Sequence, residues 1–91
     1  MCAALVGGMD RLRQEYIDTA KDMGVKLKVF TGQERSIRSQ LGNPDMLIVF
    51  TGKVSHTARE AAVKHAKAGR IPVRMIHSSG VSSLRKCFDS R

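Results

Sequence analysis

Met46-Leu47-Ile48-Val49-Phe50-Thr51-Gly52, residues 46–52, decides the architecture of this chain. Its first five residues are apolar without interruption, follow the turn signal Gly42-Asn43-Pro44-Asp45, and stop at a hydroxyl residue and a glycine. A run of that length has no polar face to give to water. It therefore predicts a strand over 46–50 covered on both sides, the place of a central strand in a parallel sheet.

Working outward, Cys2 to Val6 is a second short apolar run, ended by Gly7-Gly8, and predicts a first strand buried on both faces. Leu12, Tyr16, Ile17, Ala20 and Met23 recur at helical spacing, so a helix is expected over 10–23, with Asp10 as its cap and Gly24 as a left-handed stop. Val25, Leu27 and Val29 alternate with Lys26 and Lys28, the period of a strand whose lysines suit an edge. Thr31-Gly32 ends that strand, and 36–41 reads as a short helix. Beyond the central strand, Thr57-Ala58-Arg59-Glu60 has capping-box spacing and opens a helix to Ala68, closed by Gly69. Ala58, Ala61, Ala62, Val63 and Ala66 give it a small inner face. Pro72 opens a last strand over 73–76, and a closing helix over 81–88 follows Ser78-Ser79-Gly80.

Strands alternating with helices at this spacing imply parallel pairing through right-handed crossovers. The expected fold is α/β: a small doubly wound, Rossmann- or flavodoxin-like, four-stranded parallel sheet of order 2-1-3-4, with helices on both faces and one domain over 1–91. Val29-Phe30-Thr31-Gly32 recurs as Val49-Phe50-Thr51-Gly52, which marks two equivalent strand ends.

The composition agrees with one small core: 91 residues, 42% hydrophobic and 26% charged. No stretch reaches the roughly 18 apolar residues of a membrane span, and the N-terminal sequence lacks the basic start and long apolar run of a secretory signal, so a cytoplasmic protein is expected. Cys2 and Cys87 stand near opposite ends and are expected to be reduced and buried, Cys2 at the start of a strand and Cys87 on the last helix. Two open sheet edges on so small a domain point to a homodimer. The net charge is +8, and it is uneven: residues 46–91 hold nine Lys or Arg against two acids, while 1–45 hold seven against six. One basic side favours an anionic partner, whether a small molecule, nucleic acid or an acidic protein.

In open parallel sheets ligands gather beyond the carboxyl ends of the strands where the strand order reverses, here between the first and third strands. The loops converging there contain Gly7, Gly8, Gly52, Lys53, Ser55, His56, His77, Ser78 and Ser79. Glycines let a ligand approach the backbone, helix N-termini present free N–H groups, and Lys53 adds charge, so the set suits an anion. The same residue types also serve merely to turn the chain and cap helices. Gly52-Lys53 is not a P-loop, because Val54 replaces the hydroxyl residue and Leu47 occupies the upstream glycine position. His56 at the mouth, with His77 beyond the fourth strand, forms the candidate metal-binding pair; the competing role for His56 is that of a capping residue. His65, in mid-helix, is expected to be solvated. Ser79 and Ser82 have the spacing of a Cys-x-x-Cys pair without its soft ligands.

Catalytic readings lack their residues. A receiver-type phosphoacceptor needs an aspartate where Phe50-Thr51 stands, a cysteine-phosphate loop needs its cysteine after the first strand rather than at Cys2, and Asp10 and Glu60 read as helix-terminal charges. The chain holds Tyr16 and three Phe at core-like positions, few aromatics for stacking on bases.

Ala4-Leu5-Val6-Gly7-Gly8, Gly24, the strand from Asp45 to Phe50, Ser55-His56, Lys67 through Pro72, and Val81-Ser82-Ser83-Leu84 together resemble a bacterial family known only as domain of unknown function 2325. The resemblance covers nearly the whole chain. It implies the same fold and adds weight to His56, because members tend to keep a histidine after a small polar residue there. Some members carry cysteines at the positions of Ser79 and Ser82, and others a histidine near Phe30-Thr31; this chain has neither. No activity comes with the resemblance. The expectation is a non-enzymatic ligand-binding or sensing module that holds a phosphate- or nucleotide-type anion, or a haem or other metal centre through His56. The alternatives are a basic nucleic-acid-binding protein and a redox or metal protein using Cys2 and Cys87.

Overall fold

The computed structural model describes residues 1–30 and 41–89, the side chain of Lys53 aside. Four parallel strands, β1 (Cys2–Gly7), β2 (Lys26–Phe30), β3 (Met46–Phe50) and β4 (Val73–Ile76), form one sheet in the order β2-β1-β3-β4. The helices are α1 (Arg13–Asp22), α2 (His56–Ala68) and α3 (Val81–Asp89), with 3-10 turns at Asp10–Leu12 and Thr51–Lys53. The expected topology is the observed one. The predicted helix over 36–41 falls almost entirely outside the described residues; Leu41, at its end, is buried.

All five residues of β3 are buried, and their alternation splits the core in two. Ile48 and Phe50 face a cluster with Ala3 and Leu5 of β1, Leu27 and Val29 of β2, Tyr16 and Ala20 of α1, and Leu84, Cys87 and Phe88 of α3. Leu47 and Val49 face the other side, with Ala4 and Val6 of β1 and Ala58, Ala62 and Ala66 of α2. Each large apolar side chain so buried contributes about 1.5–3 kcal/mol relative to exposure, and together they outweigh the weak propensities of the short helices. The register Ala3↔Met46 through Gly7↔Phe50 brings the ends of β1 and β3 level, so the loops leaving both strands open onto one rim.

Several local expectations are corrected. Asp10 does not cap α1: it begins a 3-10 turn, and the α-helix starts only at Arg13 without a side-chain cap. Gly24 has φ +76° as expected, and β2 begins at Lys26 rather than Val25, whose N–H is held by the Ala20 carbonyl at 2.8 Å. The second helix starts at His56, not Thr57, because the Ser55 hydroxyl accepts the Ala58 N–H at 3.2 Å. Ser and Thr cap comparably, and the one whose main chain is extended becomes the cap; Ser55 has φ −70° and ψ 150°. Cys2 is exposed rather than buried. Its N–H donates to Asp45 Oδ2 and its carbonyl accepts from the Asp45 N–H, both at 2.8 Å, which fixes the start of the strand while leaving the thiol outside.

The inner face of α2 is small because the helix lies close to β1 and β3: Ala62 and Ala66 have no exposed surface. Replacing Ala62 by Leu is expected to lower stability by about 1–3 kcal/mol through overpacking, read as a lower denaturation midpoint with an unchanged m-value.

Candidate functional site

Among the described residues three loops, those after β1, β3 and β4, line the rim over the carboxyl ends of the strands, and Tyr16 ties two of them together. The ring of Tyr16 is fully buried and meets Phe50 edge to face, with centroids 5.5 Å apart and planes at 69°. Its oxygen accepts the Met9 N–H at 3.3 Å, and its O–H donates to the Ser79 carbonyl. The loop after β1 is thus joined through α1 to the loop after β4. Gly8 has φ +91°, and a Cβ there would lie 3.0 Å from Phe50 Cδ2 and 3.1 Å from Tyr16 Cε2, so a side chain at this position is both strained and crowded.

A second close approach joins the loops after β3 and β4. A Cβ on Gly52 would lie 2.6 Å from the His77 carbonyl oxygen and 3.6 Å from His77 Nδ1. Gly52 and His77 are therefore neighbours, and so are Gly8 and Ser79 through Tyr16. His56 has a different partner. It is the first residue of α2, and its Nε2 lies 3.0 Å from Glu60 Oε1, one helical turn along an exposed face. Ser55 is engaged as the α2 cap, and the Ser78 hydroxyl accepts the Gly80 N–H at 3.4 Å, tightening the turn into α3. Gly7, with φ +95°, ends β1, and the side chain of Lys53 lies outside the described residues.

In a parallel α/β sheet every helix starts at the same rim. The first N–H groups of α2 and α3 and the positive ends of their dipoles accordingly lie on the side where the strands end. Among these groups one polar atom is unsatisfied. Ser79 Oγ is buried and has no hydrogen-bond partner among the described residues, although the carbonyl of the same residue is held by Tyr16. A buried hydroxyl left in that state costs about 1–3 kcal/mol.

His65 is not simply solvated. Its Nε2 lies 2.6 Å from the Gly42 carbonyl, where a ring N–H donates, and this bond pins the C-terminal half of α2 to the turn that precedes β3. Among the described residues no group of three or more His, Cys, Asp or Glu side chains is placed to hold a metal. Tyr16 is a site residue that sequence reasoning misses, because its helical spacing marks it only as core. The signal was its hydroxyl, because a Tyr at a buried helical position needs a polar partner where a Phe would not.

Cys87 is buried against β4, and desolvation pushes its thiol above the ordinary range, partly offset by the Arg74 guanidinium. Two grooves flank β4. One, of about 370 Å³, runs between α2 and Met75 of β4, and another, of about 290 Å³, lies on the opposite flank of β4 beside Cys87. No helix among the described residues is long and apolar enough to cross a membrane.

A family model described as an uncharacterized protein conserved in bacteria, domain of unknown function 2325, matches residues 2–90. No curated protein matches the chain. Among solved structures, a de novo designed Rossmann fold protein is similar, with a TM-score of 0.59 at 16% identity over 98% of this chain and 93% of that one. At that identity the likeness concerns the fold alone.

Two outcomes follow from this geometry. Tyr16→Phe leaves the Ser79 carbonyl and the Met9 N–H without their partner and is expected to cost about 1–3 kcal/mol in urea unfolding, with the far-ultraviolet spectrum unchanged. The folded state holds the Cys87 proton more tightly than the unfolded chain, so its contribution is intact below the ordinary thiol range and is lost as the pH rises through it. Stability measured across that alkaline range should fall, and Cys87→Ala should blunt the fall.

Proposed function

The chain belongs to the bacterial family of domain of unknown function 2325, and on that premise we propose that it is a small non-enzymatic binding or sensing module whose ligand is a phosphate- or nucleotide-type anion held over the carboxyl ends of its strands. The Ser79 hydroxyl carries this reading: it is a buried donor without a partner, at the turn into α3 and on the rim where the α2 and α3 dipoles are positive. An anion supplies the acceptor such a hydroxyl lacks. The Tyr16 bond to the Ser79 carbonyl and the close approach of Gly52 to His77 hold the three loops as a preformed unit, which limits the ordering cost of binding.

The haem or metal form of this reading, with His56 as ligand, has less support, because the His56 Nε2 is engaged with Glu60 along the outer face of α2. Generic nucleic-acid binding has the basic second half of the chain in its favour. Against it, Tyr16, Phe30, Phe50 and Phe88 are all buried and offer no ring for bases to stack on.

The test is a thermal-shift titration with inorganic phosphate, AMP and ATP. Binding to the folded state adds about 2.7 kcal/mol at a ligand concentration one hundred times Kd, so a midpoint that rises with ligand is expected. Ser79→Ala should leave the free protein as stable or more so, since it removes an unsatisfied hydroxyl, and should lose most of the ligand-dependent gain. A midpoint indifferent to all three anions overturns the proposal.

A further inference from the structure

The two edges of the sheet are not alike. In β2 the Lys26 N–H bonds the Met1 carbonyl of the neighbouring chain segment, so the main-chain groups of the odd-numbered residues point outward; of these, the Val29 carbonyl is taken by the Arg13 guanidinium at 3.3 Å. Lys26 and Lys28 stand exposed along the same edge. In β4 the Leu47 N–H bonds the Pro72 carbonyl, so Pro72, Arg74 and Ile76 turn their main-chain groups to β3, and those of Val73 and Met75 point away from the sheet. Among the described residues nothing bonds these outward groups.

The surroundings of β4 specify what they would accept. Met75 is 52% exposed, the most exposed large apolar side chain among the described residues, and shares the α2 side of the sheet with a groove of about 370 Å³. Arg59, Lys64 and Lys67 line that groove; its one acid, Glu60, is already paired with His56. On the other flank Arg74 lines the groove of about 290 Å³. An unpaired strand edge with an apolar centre and cations on both sides matches an extended, acidic chain.

We propose that β4 is a docking edge that takes an extended acidic peptide segment of a partner protein as a fifth strand, its main chain bonding Val73 and Met75 and its carboxylates meeting Arg59, Lys64, Lys67 and Arg74. A second copy pairing edge to edge would bring together two basic edges, each carrying Arg74 and the α2 cations Arg59, Lys64 and Lys67, and like charges so gathered disfavour it. Nucleic acid shares the charge requirement but has no strand donors or acceptors to match to the edge, and it finds no exposed ring beside it. This edge is separate from the rim of Ser79, so either assignment stands or falls without the other.

The experiment is fluorescence anisotropy on the full chain with a labelled peptide of about ten residues built from Glu-Glu-Val-Val repeats, which puts carboxylates on both faces of the strand, and a control peptide in which lysine replaces glutamate. The acidic peptide is expected to bind and the lysine peptide not. Met75→Pro deletes one outward N–H without touching the β3 ladder and is expected to weaken binding about tenfold. Should that variant fail to fold, the paired surface change Lys64→Glu with Lys67→Glu gives the second readout, again with roughly tenfold weaker binding, and with high salt reproducing the loss in the unaltered chain. The proposal is overturned by an acidic peptide that does not bind, by binding indifferent to these variants, by oligouridine RNA binding in the peptide's place, or by a dimer in sedimentation that Met75→Pro dissolves while no peptide is bound.

Discussion

The structure depends on one constraint: β1 and β3 lie side by side, parallel, and buried on both faces. Neither strand can turn a face to water, so each needs cover above and below, and a 91-residue chain has only its crossover helices to supply it. Parallel pairing in turn forces every connection back across the sheet, so all helices begin at the rim where all strands end. The concentration of helix N-termini, glycine turns and polar side chains on one side of the molecule is a consequence of that pairing. So is the choice of small residues on α2, which must lie close enough to seal Val6, Leu47 and Val49.

The rim is held by main-chain contacts rather than by a network of polar side chains. Tyr16 is the exception, and it reaches main-chain groups in two loops from within the apolar cluster, its ring edge to face with Phe50. Gly8 and Gly52 are glycines because neighbouring atoms fill the space a Cβ would need, and at Gly8 the backbone is left-handed as well. These contacts keep the loops after β1, β3 and β4 mutually fixed. The hydroxyl of Ser79 is buried without a partner among the described residues, at an energetic cost.

The sheet edges divide the surface into two regimes. At β2, Arg13 covers an outward carbonyl and two lysines deter pairing, the usual protection of an exposed edge. At β4, the strand is short and cationic but its outward groups and Met75 are open among the described residues. Part of the uneven charge of the chain acquires a location in this way: of the nine basic residues of the second half, Arg59, Lys64 and Lys67 lie on α2 and Arg74 on β4, around an edge able to pair.

How much of this the sequence determined can be read from particular residues. The five-residue apolar run of β3, the Lys26 and Lys28 alternation of β2 and the spacing of small residues on α2 depend only on which side chains must leave water, and burial is a local property of each position in a repeating pattern. They determined the four strands, the helices that follow β1, β3 and β4 and, with right-handed crossovers, the order β2-β1-β3-β4. They determined equally which loops share the rim. What only the tertiary structure decided involves pairs of residues far apart in the chain: Tyr16 with Ser79, Gly52 with His77, His65 with Gly42, and the exposure of Cys2 beside Asp45. The sequence placed His56 at the mouth, and the fold turned its imidazole to Glu60, because a hydrogen bond goes to whichever partner the packed backbone leaves within about 3 Å, and no one-dimensional pattern encodes that distance.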